Sequence, residues 1–267
     1  MASSTRQAMS AGKQALDAVL KSADLNFAEQ LLAIGAAVGS SVQLRNILSD
    51  PSGEAATKQK ALAAVFGKSV SKEALSFAGV LSGLRWSKGS DLVHAFEAFG
   101  VYTVASIAAS SKKLESLEQE VFSLRSLIDS DHELMQALSS RQASTDAKVE
   151  LVASLTKGKV SAEASLLARY SVIGSKNRKV SIVLDHFGKL ISEVAERLVA
   201  VVTVAQPLSA EQTKRLEAVL AAGYGKSLNL NVVLDPTIIG GVRVQVAGEI
   251  IDGSIASRLN QAKLQLA

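Results

Sequence analysis

Two short stretches of this 267-residue chain invite a reading as phosphate chemistry. Gly67-Lys68-Ser69 and Gly225-Lys226-Ser227 both look like the end of a phosphate-binding loop, where an earlier glycine lets backbone amides face the phosphates. In both, the position that needs this glycine holds leucine, Leu62 or Leu220. The second stretch also follows a helical pattern and precedes a strand pattern, the reverse of the order such a loop requires. Neither is read as a nucleotide site.

The other reactive residue types are no better placed. His94, His132 and His186 are far apart, and none has a second ligand at the i, i+4 spacing that puts two imidazoles on one helix face. Asp129, Asp131 and Glu133 could pose as paired carboxylates, but they fall between helical segments, where capping accounts for them. The basic run Lys176-Asn177-Arg178-Lys179 has no interleaved aromatic on which a base could stack, and is read as an exposed loop. With no cysteine, thiolate zinc sites, disulfides and cysteine nucleophiles are excluded together. No catalytic, cofactor-binding or metal-binding residue is expected.

Composition points to helices packed by small side chains. Hydrophobic residues make up 48% and aromatics only 4% of the chain, which favours close helix packing over broad sheet cores. The formal charge of +4 arises from 29 basic and 25 acidic residues interspersed along the chain, a pattern of solvated mixed surface and not of a nucleic-acid footprint. Residues 1–13 are polar and do not resemble a secretory signal, so a cytosolic location is expected. The longest uncharged runs, 31–44 and 98–111, fall short of the roughly 18 apolar residues that span a bilayer. Membrane association is therefore expected to be indirect.

Apolar residues recur at helical spacing over residues 4–49, in three groups: Ala8, Ala11, Ala15, Leu16 and Val19; Phe27, Leu31, Ile34 and Val38; Leu44, Ile47 and Leu48. Asp24 and Asn26 suit an N-cap near Phe27, and Asp50-Pro51-Ser52-Gly53 reads as a stop and turn. A fourth helix is expected over 54–66. A fifth is opened by Ser71 with Glu73, and a sixth runs from Asp91. Residues 27–50 can be laid on 117–140 with apolar positions in register, an offset of ninety. The same offset sets Val70-Ser71-Lys72-Glu73-Ala74 on Val160-Ser161-Ala162-Glu163-Ala164. With one further residue inserted, Gly83 falls on Gly174 and Phe96 on Phe187. A duplicated helical unit follows, in which the sixth helix serves both copies.

After Arg197 the pattern changes. Residues 198–205 are β-branched and bounded by Gln206-Pro207, a strand signal. Ser209 and Gln212 form a capping-box pattern that starts a helix whose inner face is read as Leu216, Val219 and Leu220. Residues 228–266 then read as a strand hairpin closed by a helix, with Ala247-Gly248 as the tight turn into residues 249–251. The expected fold is mainly α: an N-terminal six-helix bundle over 1–110, a second, duplicated helical bundle over 111–196, and a small α+β domain over 197–267.

That last domain carries a resemblance. Asp235-Pro236-Thr237-Ile238-Ile239-Gly240-Gly241-Val242-Arg243-Val244, followed by Ile250-Ile251-Asp252-Gly253-Ser254-Ile255 and Arg258-Leu259, resembles the C-terminal signature of the delta subunit of F-type ATP synthases, the bacterial counterpart of the mitochondrial oligomycin sensitivity-conferring protein. Gly240-Gly241 would relieve the backbone entering the hairpin, and Asp252 or Ser254 would cap the closing helix. The family usually has Gly-Asp in the turn where Ala247-Gly248 stands here. The chain looks like the lengthened form found in actinobacteria. Some of those relatives are fused behind a membrane helix that is not seen in this sequence.

The resemblance implies a stator part without an active site. Its N-terminal bundle would hold the N-terminal amphipathic helix of an alpha subunit on the catalytic head, and its C-terminal domain the b subunits of the peripheral stalk. It implies no cofactor, no nucleic acid, and a place on the cytoplasmic face of the bacterial plasma membrane. Helices one and five are the family's groove walls, which nominates Ala8, Ala11 and Ala15 with Ala74, Phe77, Ala78 and Leu81 as partner-binding residues. On that expectation, Ala78→Asp abolishes guest binding and leaves the helical signal intact. The alternative is an RNA-binding helical bundle of the antitermination type, motivated by the basic pI and the similar helix order.

Overall fold

A computed structural model describes residues 3–140, 142–175, 178–197, 199–224, 229–235, 240–246 and 249–252. Polar caps set where its helices begin. Phe27 N donates to Asp24 Oδ1 at 2.8 Å, Leu44 N to Ser41 Oγ at 3.2 Å and Ala74 N to Ser71 Oγ at 3.1 Å, each satisfying an amide that helix geometry leaves unpaired. The helices so opened are α2 (Leu25–Ser40), α3 (Val42–Ser49) and α5 (Lys72–Gly83). Around them lie α1 (Ser3–Val19), α4 (Ala55–Phe66) and α6 (Gly89–Ser110). These are the six helices expected.

The next five are α7 (Leu114–Ser130), α8 (His132–Ser139), α9 (Thr145–Thr156), α10 (Ala162–Ile173) and α11 (Val180–Arg197). Shifted back by ninety, α8, α9 and α10 coincide end to end with α3, α4 and α5. Buried positions coincide too: Leu44 and Leu48 with Leu134 and Leu138, and Ala74, Phe77 and Ala78 with Ala164, Leu167 and Ala168. A tertiary hydrogen bond recurs as well. Ser71 N donates to Gln30 Oε1 at 2.9 Å, and Ser161 N donates to Glu120 Oε2 at 3.1 Å. The register holds through Ile173, so Gly83 corresponds to that residue and the added residue lies in the α10–α11 connection, where the sequence reading had set Gly83 on Gly174.

Residues Met1–Ser192 form one compact unit and Glu193–Ala267 another, and the division falls within α11. In the first unit α6 is the axis. It is buried almost all round, and α2 packs along it through two glycine contacts. A Cβ on Gly35 would stand 2.8 Å from Phe96 Cβ, and one on Gly100 would stand 2.6 Å from Leu32 Cγ, so only hydrogen fits at either place. Phe27, Phe77, Phe99 and Tyr102 form a chain of tilted and edge-on rings beside this contact. By length and composition α6 could cross a membrane, more than the run 98–111 promised, but most of its apolar window is buried in the bundle.

After the end of α11, the second unit holds β1 (Val199–Val204), α12 (Ala210–Tyr224) and β2 (Asn229–Leu234), followed by β3 (Val242–Val246) and β4 (Glu249–Asp252). β1 pairs in parallel with β2 and antiparallel with β3, and the sheet order is β2-β1-β3-β4. The hairpin is therefore β3–β4, with Val246 opposite Glu249. That is the hairpin expected over residues 242–251, and β2 stands apart from it because the α12 crossover carries the chain to the far side of β1. Val202, Val204, Val244 and Leu220 make the small core. The capping box is reciprocal: Gln212 N donates to Ser209 Oγ at 3.2 Å, and Ser209 N to Gln212 Oε1 at 2.8 Å. Val219, read as inner face, is 63% exposed, because the narrow sheet takes only the Leu216–Leu220 stripe.

Candidate partner-binding surface

The residues nominated for the groove divide sharply by burial. Ala8 is buried on α1, while Ala11 and Ala15 are half-buried beside it. Ala74, Phe77, Ala78 and Leu81 on α5 are fully buried: Phe77 packs against Phe27 and Phe99, and a Cβ on Gly12 of α1 would meet Leu81 Cδ2 at 3.0 Å. They are core, not groove lining. A carboxylate placed at Ala78 would sit in that core, so the expectation of an intact fold for Ala78→Asp is withdrawn.

What α5 offers outward is a different stripe. Ser76 is exposed, Val80 is 44% exposed, and above Gly79 a Cβ would meet only Gln59 Cγ at 4.0 Å. Small residues flank one valine on this face, beside Gln59 of α4, while α1 packs on α5 at Leu81. The ends of α5 are held independently of any guest. Trp86 Nε1 donates to Leu81 O at 2.7 Å, and the buried Lys58 Nζ donates to Ser82 O at 2.8 Å, so two carbonyls of the last turn are satisfied. Burial pushes the Lys58 ammonium below its ordinary value, with the charge of Asp50 opposing the shift. The N-terminal turn of α1 is pinned where Thr5 Oγ1 donates to Asp91 Oδ2 at 2.6 Å.

A second cluster was not expected. Glu97 on α6 is 8% exposed. Arg178, placed by sequence in an exposed loop, turns inward to it, with Nη2 donating to Oε2 at 2.8 Å. Glu97 Oε1 has no hydrogen-bond partner among the described residues, and His186 Nε2 stands 3.9 Å away. Glu97 and Arg178 border a cavity of about 260 Å³ shared by Leu32, Gly35, Tyr170 and Gly174. The sequence signal was too thin: one glutamate in an apolar helix and one arginine in a basic run give no hint that they meet.

The signature residues sit as follows. Asp235 N donates to Val204 O at 2.9 Å, extending the parallel ladder. Gly240 and Gly241 have φ of 150° and 87°, which fits their role of relieving the backbone before β3. Asp252 ends β4, and the helix it was expected to cap begins outside the described residues. Pro236, Gly253, Ser254, Arg258, the Ala247-Gly248 turn, Gly225-Lys226-Ser227 and the closing helix lie outside the described residues. Gly67 caps the C-terminus of α4, and Ser69 Oγ donates to Phe66 O at 3.2 Å, so Gly67-Lys68-Ser69 is a helix stop. Asp131 caps α8 and Asp129 pairs with Arg125, as far as the acidic cluster goes.

The family profile described as ATP synthase delta (OSCP) subunit matches residues 101–266. The chain belongs to that family. It is 40% identical to the ATP synthase subunit delta of Leifsonia xyli subsp. xyli, with 100% of each chain covered. It is 36% identical to the ATP synthase subunits delta of Pseudarthrobacter chlorophenolicus and Streptomyces griseus subsp. griseus, again over 100% of both chains. A chain of the cryo-EM structure of the Toxoplasma gondii mitochondrial ATP synthase hexamer overlaps 62% of this chain and 96% of its own at 19% identity, with a TM-score of 0.31, too low to carry an argument. As a delta-family member the chain is a peripheral part of an ATP synthase, and the RNA-binding alternative has no support from it. The profile match starts inside α6, so it takes in the second helical half and leaves α1 to α5 outside.

Proposed function

We propose that the chain is a non-catalytic connector in the stator of a proton-translocating ATP synthase. Its three segments, 1–110, 111–196 and 197–267, act as head clamp, duplicated spacer and stalk clamp. The outward stripe of α5 receives the N-terminal helix of an alpha subunit, and the α+β segment holds the b subunits. Rotor torque is then resisted by a chain that touches the membrane only through the complex, at its cytoplasmic face. The reading assigns no residue to catalysis and no cofactor or nucleic acid to any surface.

The observation that carries it is family membership along the full chain, joined to an α5 face that stays open at Ser76, Gly79 and Val80 while its ends are already tied. A helix in a groove gains from anchors set into small-residue troughs. Calorimetric titration with a synthetic peptide of the alpha subunit's N-terminal helix tests it. Binding by the full chain that is lost on Val80→Asp, with the helical signal unchanged, is the expected result. Equal affinity in Val80→Asp removes this face from the account.

A further inference from the structure

The repeat allows the α5 face to be compared with its counterpart, position for position. Ser76, Gly79 and Val80 stand where α10 has Leu166, Arg169 and Tyr170, ninety residues on. Ser76 and Val80 are open and their counterparts are not: Leu166 is 7% and Tyr170 8% exposed, while the Arg169 side chain between them stays 40% exposed. What covers them belongs to the same chain. α2 and α6 pack on α10, Arg169 Nη2 lies 3.2 Å from Glu29 Oε1 on α2, and Tyr170 shares its cavity wall with Leu32 and Gly35 of α2.

We infer that the second repeat's face is already filled by α2, so that the chain takes a single guest helix from the head, and takes it on the first repeat. The inference rests on the reading of the α5 face proposed above and deepens it. It also runs against the family profile, whose match covers the closed repeat and not the open one. A guest at α10 would have to displace a helix that is tethered to the site and held against α6 by the Gly35–Phe96 contact, a competitor at very high effective concentration. The exchange of Ser, Gly and Val for Leu, Arg and Tyr is what converts a guest surface into an internal interface. An apolar anchor, an ion pair and a ring replace small side chains.

The chain has no cysteine, so single cysteines report cleanly. Ser76→Cys and Val80→Cys are expected to react with a maleimide at the rate of an unfolded control, and Leu166→Cys at least about tenfold more slowly, because a buried thiol labels only through local opening. In the same full-length chain, calorimetry with the synthetic alpha-subunit peptide is expected to give one site. Hydrogen exchange on the unmutated chain supplies a reading that no substitution can spoil: peptide binding slows exchange in α5 and leaves α10 as it was. Rapid labelling of Leu166→Cys, two peptide sites, or new protection confined to α10 would overturn the inference. Slow labelling of Leu166→Cys with no peptide binding anywhere leaves the closure of α10 standing and defeats the α5 reading instead.

Discussion

Arg178 donates from Nη2 to Glu97 Oε2 at 2.8 Å, joining residues 81 apart in sequence, one on the shared axis α6 and the other just before α11. Glu97 is the more buried partner, its side chain 10% exposed against 35% for Arg178, so the pair is asymmetric. Removing the arginine strands a carboxylate in the core. Removing both charges does not.

Arg178→Ala is therefore expected to cost about 3 kcal/mol, and Arg178→Ala with Glu97→Gln clearly less. Urea denaturation of the two variants measures the difference. A double variant that is less stable than Arg178→Ala would mean that Glu97 does something other than balance this charge.

Gly35→Ala is expected to destabilise the chain although alanine is the better helix former. The propensity gain is about 1 kcal/mol, and overpacking costs about 1–3 kcal/mol. Because the atom met is Phe96 Cβ, fixed to the backbone of α6, the two helices must part. Thermal unfolding measures the outcome, and a raised midpoint would contradict this packing.

Asp185 supplies a pH dependence with a defined sign. A hydrogen bond from Lys189, then the charges of Lys189, Arg125 and His186, hold its carboxyl below the ordinary value of 3.8, with burial opposing. A folded pKa below the unfolded one stabilises fully above the unfolded value, and that stability is lost as pH falls through the folded value. The described chain should thus lose stability as pH drops below about 4, and Asp185→Asn should flatten that loss. Equal acid dependence in both would contradict a carboxyl held low first by Lys189 on α11 itself and then by Arg125 of α7, 2.7 Å away.

Ala78→Asp and Val80→Asp should behave oppositely although only two residues separate them. Ala78 is fully buried and Val80 is 44% exposed. The first is expected to lose about 3 kcal/mol or more, enough to unfold a marginal bundle, and the second to keep its circular dichroism and its unfolding midpoint. A stable Ala78→Asp chain would return that residue to the groove.

Helix order, most caps and the repeat were legible because each rests on local chemistry: Asp24, Ser71 and Ser209 announce helix starts wherever they stand. Which side of a helix faces water was not. Ala74, Phe77, Ala78 and Leu81 form an apolar stripe that suits a groove wall and a core equally, and only the packing of α2 and α6 decides between them. Val219 was assigned inward for the same reason. The closed face of α10 could have been suspected from sequence, by asking why Ser76, Gly79 and Val80 become Leu166, Arg169 and Tyr170. The Glu97–Arg178 contact could not, since nothing local links its ends.

The central claim is that one chain ties head to stalk, and the direct measurement is assembly from purified parts. The catalytic head and the soluble portions of the b subunits are mixed with and without this chain and separated by size. The account predicts a ternary complex only when the chain is present, and loss of the head alone with Val80→Asp. Head and b subunits that associate equally well without the chain, or a chain that binds neither, would contradict it.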